Sequence, residues 1–344
     1  MNKITIKEIA EKANVSIGTV DRVLHNRGKV NGETERQIRK ICAEYGYESN
    51  IIGKAMSMQK KERVIAVVIN SSKRNVFSSI IHEGLEKRAK EIADFNVRFE
   101  YYDYFENSVS EISDILDAVY EKEISGLIIK PLDSPIIKYK LGKFIDIKKI
   151  PVVTCTSEIA GVNSICYVGQ NHEKLGRLMA NTLCKISHDD VMKVIVVVGP
   201  LSSAARRAKL EGFLNYLEES GRKYEVCNIC EVPYDDDEAY EMALNLLERY
   251  PEANAIYMHS PQLPPCVKAI CDYGKFNGVR FTFGHSSYVG EYIRSGLIDF
   301  AIYEDPYDQG YVAADVMFNY LLNGIVPENR EYVLDGVIAF EENC

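Results

Sequence analysis

No stretch of this sequence approaches the roughly 18 consecutive apolar residues that a membrane-crossing helix needs. Residues Met1 to Ala10 alternate charged and apolar side chains and lack the apolar core of an export signal. No membrane partner is expected, and the cytoplasm is the expected location. The nine cysteines are odd in number and scattered without the spacing of a disulfide framework, which fits reduced thiols. There is no phosphate-cradling glycine loop, no Gly-x-Ser-x-Gly elbow and no histidine-containing metal cluster, and the six histidines are dispersed. The chain therefore lacks the marks of nucleotide hydrolases, elbow-serine hydrolases and histidine-metal enzymes. Neither catalysis nor a resident cofactor or metal is expected. Cys227 and Cys230 make a lone C-x-x-C, but in the alternating stretch YEVCNICEV they are expected on opposite faces of a strand, unable to share a metal. Asp235, Asp236, Asp237 and Glu238 read as the acidic start of a helix rather than a cation site.

What is present fits a soluble chain with more than one core. The length of 344 residues exceeds what one core usually organises, and 46% hydrophobic with 26% charged residues is ordinary. The formal charge of −9 argues against a polyanionic partner until its distribution is read. Residues 1–61 hold 12 Lys and Arg against 7 Asp and Glu, whereas the remainder holds 29 against 43. A basic head on an acidic body is the asymmetry expected when one end meets nucleic acid.

The head carries three short helical patterns. Ile6, Ile9 and Ala10 form one apolar face, and Ala13 and Val15 continue inward past Asn14, a residue that tolerates the left-handed backbone of a tight turn. Ser16 is a suitable N-cap for a second helix with Val20, Val23 and Leu24. Asn31 caps a third, with Ile38, Ile41 and Tyr45, ending at Gly46. A small residue at the crossing, a tight turn and a buried valine make a helix-turn-helix. A plain three-helix bundle is the alternative, and the local positive charge argues against it.

Residues 5–50, TIKEIAEKANVSIGTVDRVLHNRGKVNGETERQIRKICAEYGYESN, resemble the DNA-binding head of the lac repressor/galactose repressor family, and the resemblance continues more weakly along the whole chain. It implies that the second helix enters the major groove with Ile17, Gly18 and Arg22 at the base edges. Arg22 can contact guanine in bidentate fashion. Ile17 and Gly18 depart from the polar residues common there and offer apolar contact or close approach. Asp21 is also unusual beside phosphates. Thr5, Ser16, Thr19 and His25 are candidates for phosphate contacts, which position the head without reading sequence. Residues 47–61, YESNIIGKAMSMQKK, fall where the family has a hinge helix that folds on DNA. Met56 matches its minor-groove wedge, with Asn50 and Gly53 beside it, while Ser49 stands where proline is common. A simple basic linker is the alternative for this stretch.

From Val64 onward the short apolar runs VIAVVI, VRFEYY, GLIIK, PVVTC, VIVVVG, AIYMH and VRFTFG alternate with amphipathic helices. Such runs imply parallel sheets covered on both faces, and the length implies two doubly wound lobes. The resemblance implies a sensor of the periplasmic-binding-protein type I class. The expected architecture is an all-α helix-turn-helix head (1–46), a hinge or linker (47–61) and an α/β two-lobed sensor (62–344). One lobe is expected over 62–157 and 306–326, the other over 160–303 and 329–344, with a ligand between them at the carboxyl ends of the strands.

The loops after those strands supply the candidate ligand contacts. Asn75 and Phe77 match a polar contact and a stacking aromatic of the family. Asp103 ends the second strand, Lys130 and Asp133 follow the third, and Thr156 and Ser157 follow the fourth. Counting back from Gly212 and Phe213 places Arg207 and Lys209 at the two basic positions of a common Arg-x-Arg, with Lys209 at the usual ligand contact. Tyr234 offers a second aromatic platform. Ser260, Ser286 and Glu304 stand where Asn, Asp and Gln are frequent, and His285 adjoins Ser286. Two aromatics can flank a sugar ring while hydroxyls, a lysine and a carboxylate bond its rim. The replacements point away from a simple pentose or hexose toward a larger or chemically different effector, such as an amino or acidic sugar or a polyol.

The sequence thus reads as a DNA-binding transcription regulator, a repressor whose homodimer binds a pseudo-palindromic operator and is induced by a carbohydrate-like effector. No leucine-rich helix of the kind found in tetrameric relatives follows EYVLDGVIAFEENC, so a dimer is expected rather than a tetramer. Two other classes share the body: an exported solute-binding protein, opposed by the head, and a sugar-processing α/β enzyme, for which only Asp103, Lys209, His285 and Glu304 could serve.

Overall fold

A computed structural model describes residues 4, 6–24, 30–45, 61–70, 76–105 and 108–344. The head consists of α1 (Ile6–Ala13), α2 (Ile17–Leu24) and α3 (Gly32–Glu44). Asn14 takes the left-handed backbone, φ 53°, and the turn closes where Val15 N donates to the Ala10 carbonyl at 3.0 Å. Ser16 Oγ accepts from Thr19 N at 3.1 Å and Asn31 Oδ1 from Glu33 N at 2.9 Å, so both caps form. Ile9, Ala10, Ala13, Val20, Val23, Ile38 and Ile41 make the core of this unit.

In the body, β1 (Arg63–Asn70), α4 (Val76–Glu91), β2 (Val97–Tyr104), α5 (Val109–Tyr120), β3 (Gly126–Ile129), α6 (Pro135–Gly142), β4 (Val152–Cys155) and β5 (Cys166–Gln170) build the first lobe. The second holds α7 (His172–Ile186), β6 (Val191–Val198), α8 (Ala204–Glu219), β7 (Lys223–Glu231), α9 (Asp236–Arg249), β8 (Ala255–His259), α10 (Leu263–Tyr273), β9 (Val279–Gly284), α11 (Ser286–Arg294) and β10 (Phe300–Tyr303). The chain returns to the first lobe with α12 (Pro306–Asn323) and β11 (Glu331–Leu334), and β12 (Val337–Ala339) joins the second sheet.

The strand orders are β11-β5-β4-β3-β1-β2 and β12-β10-β9-β8-β6-β7. Neighbours run parallel except β12, which is antiparallel to β10. Both faces are covered: along β1, Ile65, Val67 and Ile69 enter one apolar cluster and Ala66 and Val68 another. This is why the strands read as unbroken apolar runs.

Three expectations are revised. The first lobe does not end at 157, because β5 pairs with β4 and carries the sheet on to Gln170. Residues 331–334 also belong to the first lobe, since β11 lies parallel to β5. Cys227 and Cys230 do not face opposite ways: Val194 pairs with Val226 and Ile195 with Asn228, so Cys227 is an extra residue in a bulge, and both thiols pack against one apolar cluster. Both are free thiols. The acidic run does open a helix, with Asp235 accepting from the N–H groups of Asp237 and Glu238.

Two helix pairs fix the faces near the cleft. At the α7–α8 crossing a Cβ on Gly176 would overlap the Lys209 carbonyl, and one on Gly212 the Glu173 carbonyl. The α4–α12 crossing repeats this with Gly84 against Tyr307 and Gly310 against Ile81. Such close approach anchors the backbone that carries Lys209. Among the described residues no helix is long and apolar enough to cross a membrane.

Candidate functional site

In the head, the start of α2 presents an open surface. Ile17 is 53% exposed, and a Cβ on Gly18 would meet nothing nearer than Ser16 Oγ at 3.8 Å. Arg22 is exposed one turn further on. The Ser16 and Thr19 hydroxyls bond each other at 2.9 Å. Lys12 braces α1 against Tyr45 beyond α3, its Nζ 3.2 Å from the phenol oxygen. Thr5 and His25, and the hinge residues Asn50, Gly53 and Met56, lie outside the described residues.

The body contains a cavity of about 490 Å³ between the lobes. Both sheets reverse order at one strand, β1 and β6, the place where doubly wound sheets open a crevice at the carboxyl ends of their strands. The first lobe contributes Phe77 from α4, Lys130 after β3, Thr156 and Ser157 after β4, and Gln309 from α12. The second contributes His172 from α7, Arg206 and Lys209 from α8, His259 and Ser260 at the end of β8, Phe283 in β9, Tyr288 and Tyr292 from α11, and Glu304 after β10.

Lys209 Nζ donates to Glu304 Oε1 at 2.6 Å, with both side chains almost fully buried, and sits 4.5 Å above the Phe283 ring. Lys130 lies 5.4 Å above the Phe77 ring and 3.5 Å from Ser78 Oγ. Burial pushes the Lys130 ammonium down to about 8, and the charges of Arg206 and Lys209 push the same way. Burial also lowers Arg206. His172 is pushed down to about 4, first by burial and then by the Lys209 charge, and His259 is held well below the ordinary imidazole range by burial and by Lys209 and Arg206. Both imidazoles are therefore neutral at neutral pH. His172 Nε2 donates to the Thr156 carbonyl at 3.0 Å. Thr156 itself has φ 61°, a left-handed conformation that a β-branched residue rarely adopts.

The profile described as periplasmic binding protein domain matches residues 65–324, and that of the bacterial regulatory proteins, lacI family, matches residues 5–50. The chain belongs to the periplasmic binding protein domain family and carries a lacI-family regulatory head. Catabolite control protein A of Priestia megaterium is 24% identical over 262 residues, covering 76% of this chain and 75% of that protein. Catabolite control protein A of Streptococcus mutans is 23% identical over 336 residues, covering 96% and 95%. A glucose-galactose binding protein from Geobacillus stearothermophilus shares the fold with a TM-score of 0.73 at 21% identity, covering 82% of this chain and 99% of its own. This lacI-family protein is a DNA-binding transcription regulator, not an enzyme.

Of the expected cleft residues of this regulator, Phe77, Lys130, Thr156, Ser157, Lys209, Ser260 and Glu304 line the cavity. Asp103, Tyr234 and His285 do not. Asp103 ends the edge strand β2 and pairs with His82 at 3.1 Å. Tyr234 follows the other edge strand, β7, and is 60% exposed, with its carbonyl accepting from Gln262 Nε2. Edge strands lie one strand beyond the reversal, so their loops point past the crevice. His285 turns to its own helix, where Nδ1 accepts from Ser287 N. Asn75 lies outside the described residues, as does the side chain of Ser286. Sequence reasoning missed Arg206, His172, His259, Phe283, Tyr288, Tyr292 and Gln309. Arg206 was within reach: it stands three residues before Lys209 and so shares its helix face. Arg207 is turned away and donates to the Leu201 and Ser202 carbonyls at 2.6 and 2.9 Å.

Proposed function

We propose that this regulator is a cytoplasmic repressor whose homodimer holds a pseudo-palindromic operator through α2 and releases it when a small carbohydrate-like effector fills the interlobe cavity. One observation carries the reading: a helix-turn-helix with an open recognition surface shares a chain with a two-lobed body enclosing a polar, aromatic-walled cavity of about 490 Å³. That volume suits a small molecule. The sugar bound by the similar glucose-galactose binding protein supports a carbohydrate. One helix-turn-helix reads one half-site, so an operator with two-fold symmetry needs two heads.

The coupling is thermodynamic. An effector that prefers one lobe arrangement, where that arrangement spaces the two heads wrongly for the operator, weakens operator binding, and operator weakens effector binding by the same factor. A change of roughly 5–150-fold is the ordinary range. The test titrates labelled operator with the dimer, with and without a saturating effector found by thermal-shift screening of sugars, sugar acids and polyols. The Arg22→Ala variant is expected to lose about 1–3 kcal/mol on the preferred operator and to relax preference at one base pair. An operator affinity that does not move when effector saturates the body would overturn the sensor role.

A further inference from the structure

The cavity wall is unbalanced in charge. Three cationic side chains, Lys130, Arg206 and Lys209, line it against one carboxylate, Glu304. That carboxylate is already engaged with Lys209 at 2.6 Å. Among the described residues, no carboxylate lies within 4 Å of Lys130 or Arg206. Lys130 has the Ser78 hydroxyl at 3.5 Å and the Phe77 ring face, and Arg206 has the Pro200 carbonyl at 3.4 Å. Neither contact neutralises a charge. Cations withdrawn from bulk water without a counter-charge are costly, and the two histidines of the same wall are held neutral first by burial and then by the Lys209 charge.

The polar atoms around these cations define the rest of the occupant. His172 Nε2 donates to the Thr156 carbonyl, so in the neutral ring Nδ1 is an acceptor. That Nδ1 is buried without a partner, as are Thr156 Oγ1 and His259 Nδ1. These atoms lie beneath the cavity surface, whereas Ser157, Ser203 and Ser260 stand on the wall itself, where their hydroxyls can bond those of an occupant. The rings of Phe283 and Tyr288 supply apolar wall.

We infer that the effector is an anion, a monosaccharide-sized polyhydroxy compound bearing a carboxylate or a phosphate, with its charge seated between Lys130 and Arg206. This deepens the sensor reading above and rests on it. Lys130 belongs to the first lobe and Arg206 to the second, so one anion neutralises a cation from each side and removes the repulsion that opposes closure. A neutral sugar would leave both charges uncompensated as the lobes close over it.

The test uses the full chain in phosphate-free buffer at constant ionic strength and compares matched pairs by calorimetry and thermal shift: glucuronate with glucose, galacturonate with galactose, and glucose 6-phosphate with glucose. The acid member of at least one pair is expected to bind roughly 100-fold or more tightly than its neutral partner, because the wrong ligand leaves buried charged groups unpaired. Whether the uronates or the phosphate ester bind separates carboxylate from phosphate recognition. Lys130→Met and Arg206→Gln are expected to reduce anion affinity by about 10–100-fold, the range for losing a charge-assisted hydrogen bond, and to leave the melting temperature of the ligand-free protein unchanged or higher. A lower melting temperature in both variants would show that the cations already have partners and would overturn the inference. Neutral sugars binding as tightly as their acids would also overturn it while leaving the sensor reading intact. If no member of either set changes melting temperature or operator affinity, the carbohydrate reading falls, and this inference with it.

Discussion

In both lobes a six-stranded sheet reverses order at its second-last strand, and in both a pair of helices meets through facing glycines, Gly84 with Gly310 and Gly176 with Gly212. At the cleft the likeness ends. The second lobe brings Lys209 and Glu304, which satisfy each other inside that lobe at 2.6 Å. The first brings Lys130 without a carboxylate and Thr156 in a left-handed backbone. The shared architecture therefore places the site, and the furnishing of it is local. Each lobe offers one unmatched cation, Lys130 in the first and Arg206 in the second, but only the second also holds a buried pair that is settled before an effector arrives, and only the first a left-handed backbone at the cleft.

The sharpest way to break this contrast is Glu304→Ala. It strands Lys209 as an unpaired buried cation, and a loss of about 3–5 kcal/mol in urea unfolding is expected. Lys209→Met combined with Glu304→Leu should recover most of that loss, because removing both partners leaves no charge behind. A loss below about 1 kcal/mol for Glu304→Ala would place the pair in the range of exposed ion pairs and erase the difference between the lobes.

The first lobe should announce itself through pH. Lys130 is held at about 8, below an unfolded lysine near 10.4. Between those values the unfolded chain binds more protons, so this group makes stability rise with pH across that window. An anion requires the proton on Lys130, so its affinity should fall as pH rises through about 8. The groups facing Lys130 are Cys155, Arg206, Glu304 and Lys209, and burial raises the Cys155 thiol to about 12, above the window. Calorimetry from pH 7 to roughly 9.5 should show the decline, by up to about tenfold per unit, and Lys130→Met should abolish it. The same decline in Lys130→Met would assign the titration to another group.

How much of this was legible follows from what each signal depends on. The head was readable because its determinants are local: Asn14 at the turn, Ser16 and Asn31 at caps, Val20 at spacing. The longer central strands were readable because both faces are buried, whereas the short inner strands β5 (CYVGQ) and β10 (FAIY) were not singled out although they are as buried. The strands β11 and β12 were not singled out, since their apolar runs are short and Tyr332, Val333 and Val337 lie exposed at the sheet edges. In the cleft, polar loop residues stood out by chemistry, Lys130 and Glu304 among them. Phe283, Tyr288 and His259 sit in or beside regular elements, where an aromatic looks like core until the other lobe faces it. The bulge at Cys227 depends on pairing with β6, which a single strand's alternation cannot reveal.

A smaller effect of opposite sign should come from Thr156→Gly. Left-handed backbone at a non-glycine residue stores about 1–3 kcal/mol, and glycine gives back roughly 0.5–1 kcal/mol in unfolded-state entropy. A net gain of about 1 kcal/mol is expected in urea unfolding, and the hydroxyl removed with the side chain is one that has no hydrogen-bond partner to lose. Lower stability in this variant would show that the loop after β4 is at ease in its native conformation and that the first lobe stores no strain.

The smallest expected effect concerns a contact that joins the lobes instead of settling within one. Arg207 on α8 reaches Asp133 in the loop after β3 at 3.7 Å, and both side chains are nearly half exposed. An exposed pair of this kind is worth about 0.2–1 kcal/mol and is screened by salt. Because its partners sit on different lobes, that energy acts on the closed arrangement, whereas Lys209–Glu304 acts on the fold of one lobe. A double-mutant cycle with Arg207→Ala and Asp133→Ala, read out as effector affinity, should give a coupling of at most about 1 kcal/mol at low salt and almost none at 1 M, where the screening length falls to about 3 Å. Urea unfolding of the ligand-free protein should hardly register either substitution. A coupling that persists at high salt would mean the pair is desolvated on closure, and it would place Arg207 beside Lys209 among the paired, buried cations of the second lobe.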